Sequence, residues 1–158
     1  MEKVSINPFT KFSKDWALVT AGTKEKFNSM TIAWGGMGTL WRTPVLQIFI
    51  RPNRYTFKFL EENEYFTVSF YDKKYKKALG IMGSKSGRDF DKVKLSGLTP
   101  KFLENGITYE EATETFVCKK IYCEQMDKEK FPELAKKFYK NKGEEPAHYM
   151  IIGELVKV

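Results

Sequence analysis

Apolar and alternating segments of strand length dominate the first half of the chain. One segment alternates loosely between apolar and polar positions, a second is an almost unbroken apolar run, and a third is rich in aromatic and β-branched residues. Pro44 precedes the apolar run and Arg51-Pro52-Asn53 ends it, as expected for the bounds of a strand. We predict five strands from this pattern: residues 27–34 (FNSMTIAW), 45–50 (VLQIFI), 65–71 (YFTVSFY), 115–126 and 149–158.

Three shorter segments have helical periodicity. Helices are predicted over residues 53–62, with Asn53 as the N-cap, over 73–82, and over 128–141, ending near Gly143. In the third, Phe131, Leu134, Ala135 and Phe138 fall on one stripe. The strands outnumber the helices and lack the regular strand–helix alternation of a parallel sheet. The pattern therefore predicts one mostly β domain over residues 1–158, an antiparallel β-barrel with peripheral helices.

Composition narrows the possible functions. Aromatic residues make up 15% of the chain, which is high for a small interior and favours a planar ligand or a partner subunit. The net charge of +7 attracts anions without selecting among them. Cys118, Cys123 and His148 have no metal-ligand spacing, so no metal site is predicted. No segment has the apolar length of a signal peptide or a membrane span, so we expect a cytoplasmic protein without a membrane partner.

The segment of residues 50–56 (IRPNRYT) has the features of a phosphate site. A buried strand ends, Pro52 stops the pairing, and a helix begins at once, so backbone amides of its first turn emerge beside Arg51, Arg54 and the Thr56 hydroxyl. Helix N-termini and guanidinium groups both favour phosphate. A capped turn with solvated arginines is the alternative interpretation.

Two further polar segments extend this candidate site. Asn28 to Thr31 with Trp34 offer hydrogen-bonding groups and a flat apolar surface, and the segment 35–38 (GGMG) is predicted to be a loop that permits close approach of the backbone. Residues 84–92 (SKSGRDFDK) are predicted to be a loop whose Arg88 and Lys92 could reach phosphate. For both segments, ordinary solvated turns are the alternative.

The order of NSMTIAW, VLQIFIRPNRYT, EYFTVSF, KSGRDFDK and HYMIIGELVKV along the chain resembles the flavin reductase family of FMN-binding split-barrel proteins, close to its flavoredoxin-type members. The resemblance spans nearly the whole chain. It implies a six-stranded Greek-key split barrel, a homodimer with FMN near the subunit interface, and electron transfer with NAD(P)H or another redox partner.

The resemblance also assigns residues to the flavin. It places Asn28, Ser29, Met30, Thr31 and Trp34 along the ring system. It places Arg51, Arg54, Tyr55 and Thr56 at the phosphate, and Ser86, Gly87, Arg88 and Lys92 in a loop that closes over the phosphate and ribityl chain. His148 is similar in position to a histidine that often lies near the flavin or nicotinamide, and a surface or capping histidine is its alternative.

Two other functions stay open from the sequence. A non-catalytic FMN carrier or sensor would share the same residues. A basic barrel that binds single-stranded nucleic acid would use lysines interleaved with aromatics, as in residues 73–77 (KKYKK) and 136–140 (KKFYK). Both of these segments fall on predicted helices, where solvated lysines beside packed aromatics are the more common arrangement, so no nucleic-acid partner is predicted.

Overall fold

The structure is a computed structural model that describes residues 4–140 and 145–158 and has nine β-strands in these ranges. The strands are β1 (Ala17–Gly22), β2 (Phe27–Ile32), β3 (Gly35–Leu40), β4 (Thr43–Ile50), β5 (Tyr65–Tyr71), β6 (Pro100–Leu103), β7 (Gly106–Tyr109), β8 (Ala112–Gln125) and β9 (Tyr149–Lys157). Seven of them pair antiparallel in the order β2-β1-β5-β8-β9-β4-β3, and β6 and β7 form a separate hairpin.

The sheet curls around one apolar core. Ile32 on β2 and Met37 on β3 belong to strands at opposite edges of the sheet, yet both pack in the same cluster. The cluster centres on side chains such as Phe66, Val68 and Ile48, all at most 1% exposed. The prediction of a mostly β, antiparallel fold with peripheral helices is confirmed. Six strands are not confirmed, because the sheet has seven and its edge strands do not pair with each other.

Strand β1 is buried on both faces. Ala17 and Val19 point into the main core, whereas Leu18 packs on the opposite face with Leu79 and Tyr109. Successive side chains of a strand point to opposite faces, so a strand buried on both sides carries almost no polar position. The second apolar cluster therefore lies between the sheet, the helix that contains Leu79, and the β6–β7 hairpin.

The glycine segment 35–38 is a strand and not the predicted loop. It pairs with β4, with Gly35 opposite Ile48 and Gly38 opposite Val45. A Cβ on Gly35 would lie 2.5 Å from the Phe12 ring, so this position needs glycine to let the buried aromatic ring reach the strand. Close packing against the backbone, and not a turn, explains this glycine.

Five α-helices lie within the described ranges: α1 (Pro8–Thr10), α2 (Tyr55–Glu62), α3 (Lys76–Ser84), α4 (Lys92–Ser96) and α5 (Glu133–Lys140). Arg54, and not Asn53, is the N-cap of α2. The predicted second and third helices each begin with a separate 3₁₀ turn, at Lys73–Tyr75 and Lys128–Lys130. The predicted end at Asn141 and Gly143 lies outside the described residues. None of the helices in the described ranges has the length and apolar character needed to cross a bilayer.

Candidate functional site

Strand β2 is fixed to both neighbouring helices by its polar side chains. Asn28 donates from Nδ2 to the hydroxyl of Thr56 at 2.8 Å, which ties the strand to the first turn of α2. Thr31 donates from its hydroxyl to the carbonyl of Leu79 on α3 at 2.5 Å. The two bonds hold the strand against α2 and α3, so the space beside it has fixed walls.

A cavity of about 270 Å³ opens beside this anchor, and we call it the loop cavity. It lies between β2, the beginning of α2 and the segment that follows α3. Nine predicted site residues line it: Asn28, Met30, Arg54, Tyr55, Thr56, Ser86, Gly87, Arg88 and Lys92.

The lining of the loop cavity is strongly positive. Thirteen of the described residues line the cavity. Four of these carry a positive charge, namely Arg54, Lys85, Arg88 and Lys92, and none of the thirteen is acidic. Cations gathered in a concave, partly buried site focus a positive potential that raises the local concentration of anions. The cavity is therefore suited to a ligand group with more than one negative charge.

Lys92 is the most buried of these cations. It is the first residue of α4, not a loop residue as predicted, and it is only 5% exposed. Its Nζ donates to the carbonyl of Ser29 and, at 2.9 Å, to that of Met82. Burial, followed by the charge of Arg54, lowers the pKa of Lys92 to about 8. An ammonium has three donors, so these two bonds leave one for a ligand.

The two predicted phosphate arginines lie in different surroundings. Arg54 donates from Nη2 to the carbonyl of Gly83 at 2.9 Å and lines the loop cavity. Burial, with the charge of Arg51 next, lowers the pKa of Arg54. Arg51 instead forms an ion pair with Glu145 at 2.9 Å and does not line the loop cavity. Of the two, Arg54 is placed to meet an anion beside Thr56.

Gly87 is the position where the loop comes closest to β2. A Cβ at Gly87 would lie 2.2 Å from Oδ1 of Asn28 and 3.0 Å from the Tyr55 ring. The guanidinium of Arg88 lies 4.9 Å from the centroid of the same ring, a cation–π contact that holds the side chain over the cavity. Only a glycine allows this close approach of loop, strand and helix.

A second cavity of about 170 Å³ shares Met30 and Arg54 with the first, and we call it the ring cavity. Thr31, Trp34, Arg51 and His148 also line it. The Trp34 and His148 rings lie 4.8 Å apart. A flat aromatic surface next to a cationic cavity fits a ligand with a planar ring at one end and negative charge at the other.

His148 is buried and bonded to helix α5. Its Nδ1 lies 2.6 Å from the hydroxyl of Tyr139, and its backbone N–H donates to the same hydroxyl at 3.4 Å. A hydroxyl that accepts from the backbone has its own proton free to donate to Nδ1, which places the imidazole proton on Nε2. Burial, followed by the charge of Arg51, lowers the pKa of His148 to about 4, so the ring is neutral at pH 7.

The Ser29 side chain does not line the loop cavity. Its hydroxyl bonds Thr20 and Tyr109, each at 2.7 Å. The residue lines a third cavity of about 320 Å³ together with four residues of the loop cavity, namely Asn28, Tyr55, Gly87 and Lys92. Sequence reasoning missed Glu145 and Tyr139, which position Arg51 and His148. Neither has a motif of its own, and only their place in the fold reveals them.

The fold and the site together define a mostly β protein with a cationic ligand cavity beside an aromatic one. The family model of the flavin reductase like domain matches residues 9–157, so the chain belongs to that family. A comparison with curated proteins finds no match.

Solved structures share the fold. Flavoredoxin from Methanosarcina acetivorans is 22% identical, with a TM-score of 0.68 over 99% of this chain and 74% of that one. An FMN-binding protein from Thermus thermophilus is 19% identical, with a TM-score of 0.71 over 99% of this chain and 78% of that one. An NADH:FAD oxidoreductase from Streptomyces globisporus is 16% identical, with a TM-score of 0.67 over 90% of this chain and 72% of that one.

Proposed function

We propose that the protein binds FMN and acts as an oxidoreductase that passes electrons between NAD(P)H, or another redox partner, and flavin or a downstream acceptor. The observation that carries this proposal is the loop cavity, which has four cations and no acid among the described residues that line it and shares Met30 and Arg54 with the ring cavity. Family membership gives the chemical class of ligand. The cation-lined cavity is suited to a phosphate monoester, which is the anionic group of FMN.

The residues at the loop cavity fit that phosphate. Arg54, Arg88 and Lys92 would neutralise it, and the absence of a side chain at Gly87 lets the loop that carries Arg88 lie close to the strand. The other residues that we assign to the phosphate end of FMN are Tyr55, Thr56 and Ser86. Asn28 would hold Thr56 in place through its hydrogen bond. Arg51 lines the ring cavity, where it would contribute positive charge.

The ring system would lie in the ring cavity. Met30, Thr31 and Trp34 would contact it, and Ser29 would contribute its backbone, because its side chain points to the hairpin. When bound, the flavin supplies the redox chemistry, and the protein supplies position and electrostatics. His148, neutral with its proton on Nε2, would donate a hydrogen bond there without adding a charge.

Flavin titrations test the proposal. Native protein should take up FMN with a change in the flavin absorbance spectrum, and FAD and riboflavin should be titrated alongside. Arg54→Met should weaken FMN binding by at least about tenfold, since a charge-assisted bond contributes about 1.5–3 kcal/mol. Riboflavin has no phosphate, so its affinity should stay within about threefold. Arg42→Met, at an exposed arginine, is the matched control.

Native protein that binds neither FMN nor FAD would refute the proposal, and equal losses for FMN and riboflavin in Arg54→Met would refute the phosphate assignment. Anaerobic titration with NADH and NADPH separates an enzyme, whose bound flavin is bleached by one of them, from a non-catalytic flavin carrier. We also propose a cytoplasmic homodimer with the flavin near the subunit interface, and light scattering of the loaded protein would show its mass.

A further inference from the structure

An apolar cleft of about 370 Å³ lies between helix α5 and the sheet. Nine of the described residues line it, and none of these nine is charged. Phe131 and Phe138 line the cleft on the side of α5, and Trp34 and Phe49 line it on the side of the sheet. The volume is at the lower end of the range for small-molecule sites, which is about 300–1,000 Å³.

The cleft adjoins the ring cavity. Trp34 and Phe49 line both spaces, so they form a shared wall. Tyr139 lines the cleft, and its hydroxyl bonds His148, which lines the ring cavity. A molecule in the cleft would therefore lie directly beside the space that we assign to the flavin ring.

The apolar stripe of α5 does not form an ordinary core. Leu134 is 71% exposed and Phe138 is 56% exposed, although the Phe138 ring packs edge-on against Trp34 at 5.3 Å. The sequence predicts this stripe as a packed face, whereas the structure leaves a cleft beneath it. Large exposed apolar side chains around a concave surface are typical of a binding site.

We infer that this cleft binds a small, neutral, ring-shaped organic molecule of the quinone type, and that this molecule is the electron acceptor of the flavin site. The second half of this statement rests on the proposed function, and the binding itself does not. The quinone would gain two electrons and two protons to become a hydroquinone, and flavin reduced by NAD(P)H would give them up and return to its oxidised form. A charged group buried in the cleft would lack a partner in its lining, which disfavours ions. The aromatic walls, including the stacked Phe131 and Tyr139 rings, favour a planar ring.

Binding of tetramethyl-1,4-benzoquinone, measured by calorimetry, tests the inference. This probe is neutral and planar, and its fully substituted ring blocks addition of the Cys123 thiol. We expect saturable binding with one probe per chain. Ala135→Trp, which fills the cleft, and Leu134→Glu, which puts a charge on its rim, should each weaken binding at least tenfold. Lys137→Gln makes the same change in net charge outside the lining, and its affinity should stay within twofold.

Flavin uptake is measured on the same samples, so that failure of the two proposals can be told apart. Loss of probe binding with normal flavin uptake in the cleft variants supports the inference. No saturable binding by the native chain, or equal binding by all variants, overturns it whether or not flavin binds. A native dimer that Leu134→Glu converts to monomers also overturns it, since the cleft would then be covered by a second copy.

Discussion

Lys92 gives the loop cavity a pH-dependent affinity for phosphate. Its pKa in the free protein is about 8, lowered by burial and by the nearby charge of Arg54. A bound phosphate favours the charged ammonium and therefore raises this pKa. A phosphate that offsets the effects of burial and of Arg54 would return the pKa of Lys92 to its ordinary value of 10.5.

The direction of the effect follows from these two values. FMN prefers the protonated form of Lys92, so the affinity is highest well below pH 8 and falls as the pH rises from about 7 towards the pKa of the complex. Between pH 7 and pH 9 the protonated fraction of Lys92 in the free protein falls from about nine-tenths to about one-tenth, while the complex stays protonated. FMN affinity should therefore fall about tenfold, or about 1.4 kcal/mol.

The assay is a fluorescence titration of FMN at constant ionic strength from pH 7 to pH 9. Riboflavin is the ligand control, because it lacks the phosphate, and its affinity should change little. Lys92→Met should bind FMN weakly with no such pH dependence, whereas Lys94→Met, at an exposed lysine on the same helix, should behave like the native protein. An FMN affinity that stays flat over this range, or an equal fall for riboflavin, would refute the reasoning.

Two further predictions concern single residues. The pKa of His148 in the folded protein is about 4, below its ordinary value of 6.5. The neutral ring therefore stabilises the fold above pH 6.5, and this contribution to stability is lost as the pH falls towards 4. The free energy of unfolding, measured with denaturant, should fall between pH 7 and pH 4 by about 3 kcal/mol more for the native protein than for His148→Gln. Equal falls for the two proteins would contradict a lowered pKa of His148. Gly87→Ala should weaken FMN binding about tenfold, because the added Cβ collides with Asn28. Gly80→Ala on α3 is the control, because its Cβ meets no atom within 4 Å. This control should bind FMN like the native protein and melt at a slightly higher temperature.

The sequence predicts β2, β4, β5, β8 and β9 and misses β1, β3 and the β6–β7 hairpin. β1 (ALVTAG) is missed because its burial on both faces removes the alternation of apolar and polar residues that marks a strand. The β6–β7 hairpin is missed because each of its strands has only four residues, beginning with Pro100 or Gly106, which is too short for a clear alternation. The glycines of β3 resemble a loop, since only the packed structure shows the Phe12 ring against them.

The candidate site was predictable where its residues are adjacent along the chain. Arg54, Tyr55 and Thr56 follow a strand end, and their place at a helix start is visible from local pattern. The partners of Arg51 and His148 were not predictable, because Glu145 and Tyr139 reach them through tertiary packing. The burial of Lys92 was also hidden, since lysine is almost always exposed and only the carbonyls of two other elements explain it.

A crystal structure of the protein grown with FMN would test the central claim most directly. We predict the phosphate in the loop cavity, within hydrogen-bond distance of Arg54 or Lys92, and the ring system in the ring cavity against Trp34. A complex with the phosphate in solvent, or with the flavin bound elsewhere on the protein, would contradict the account.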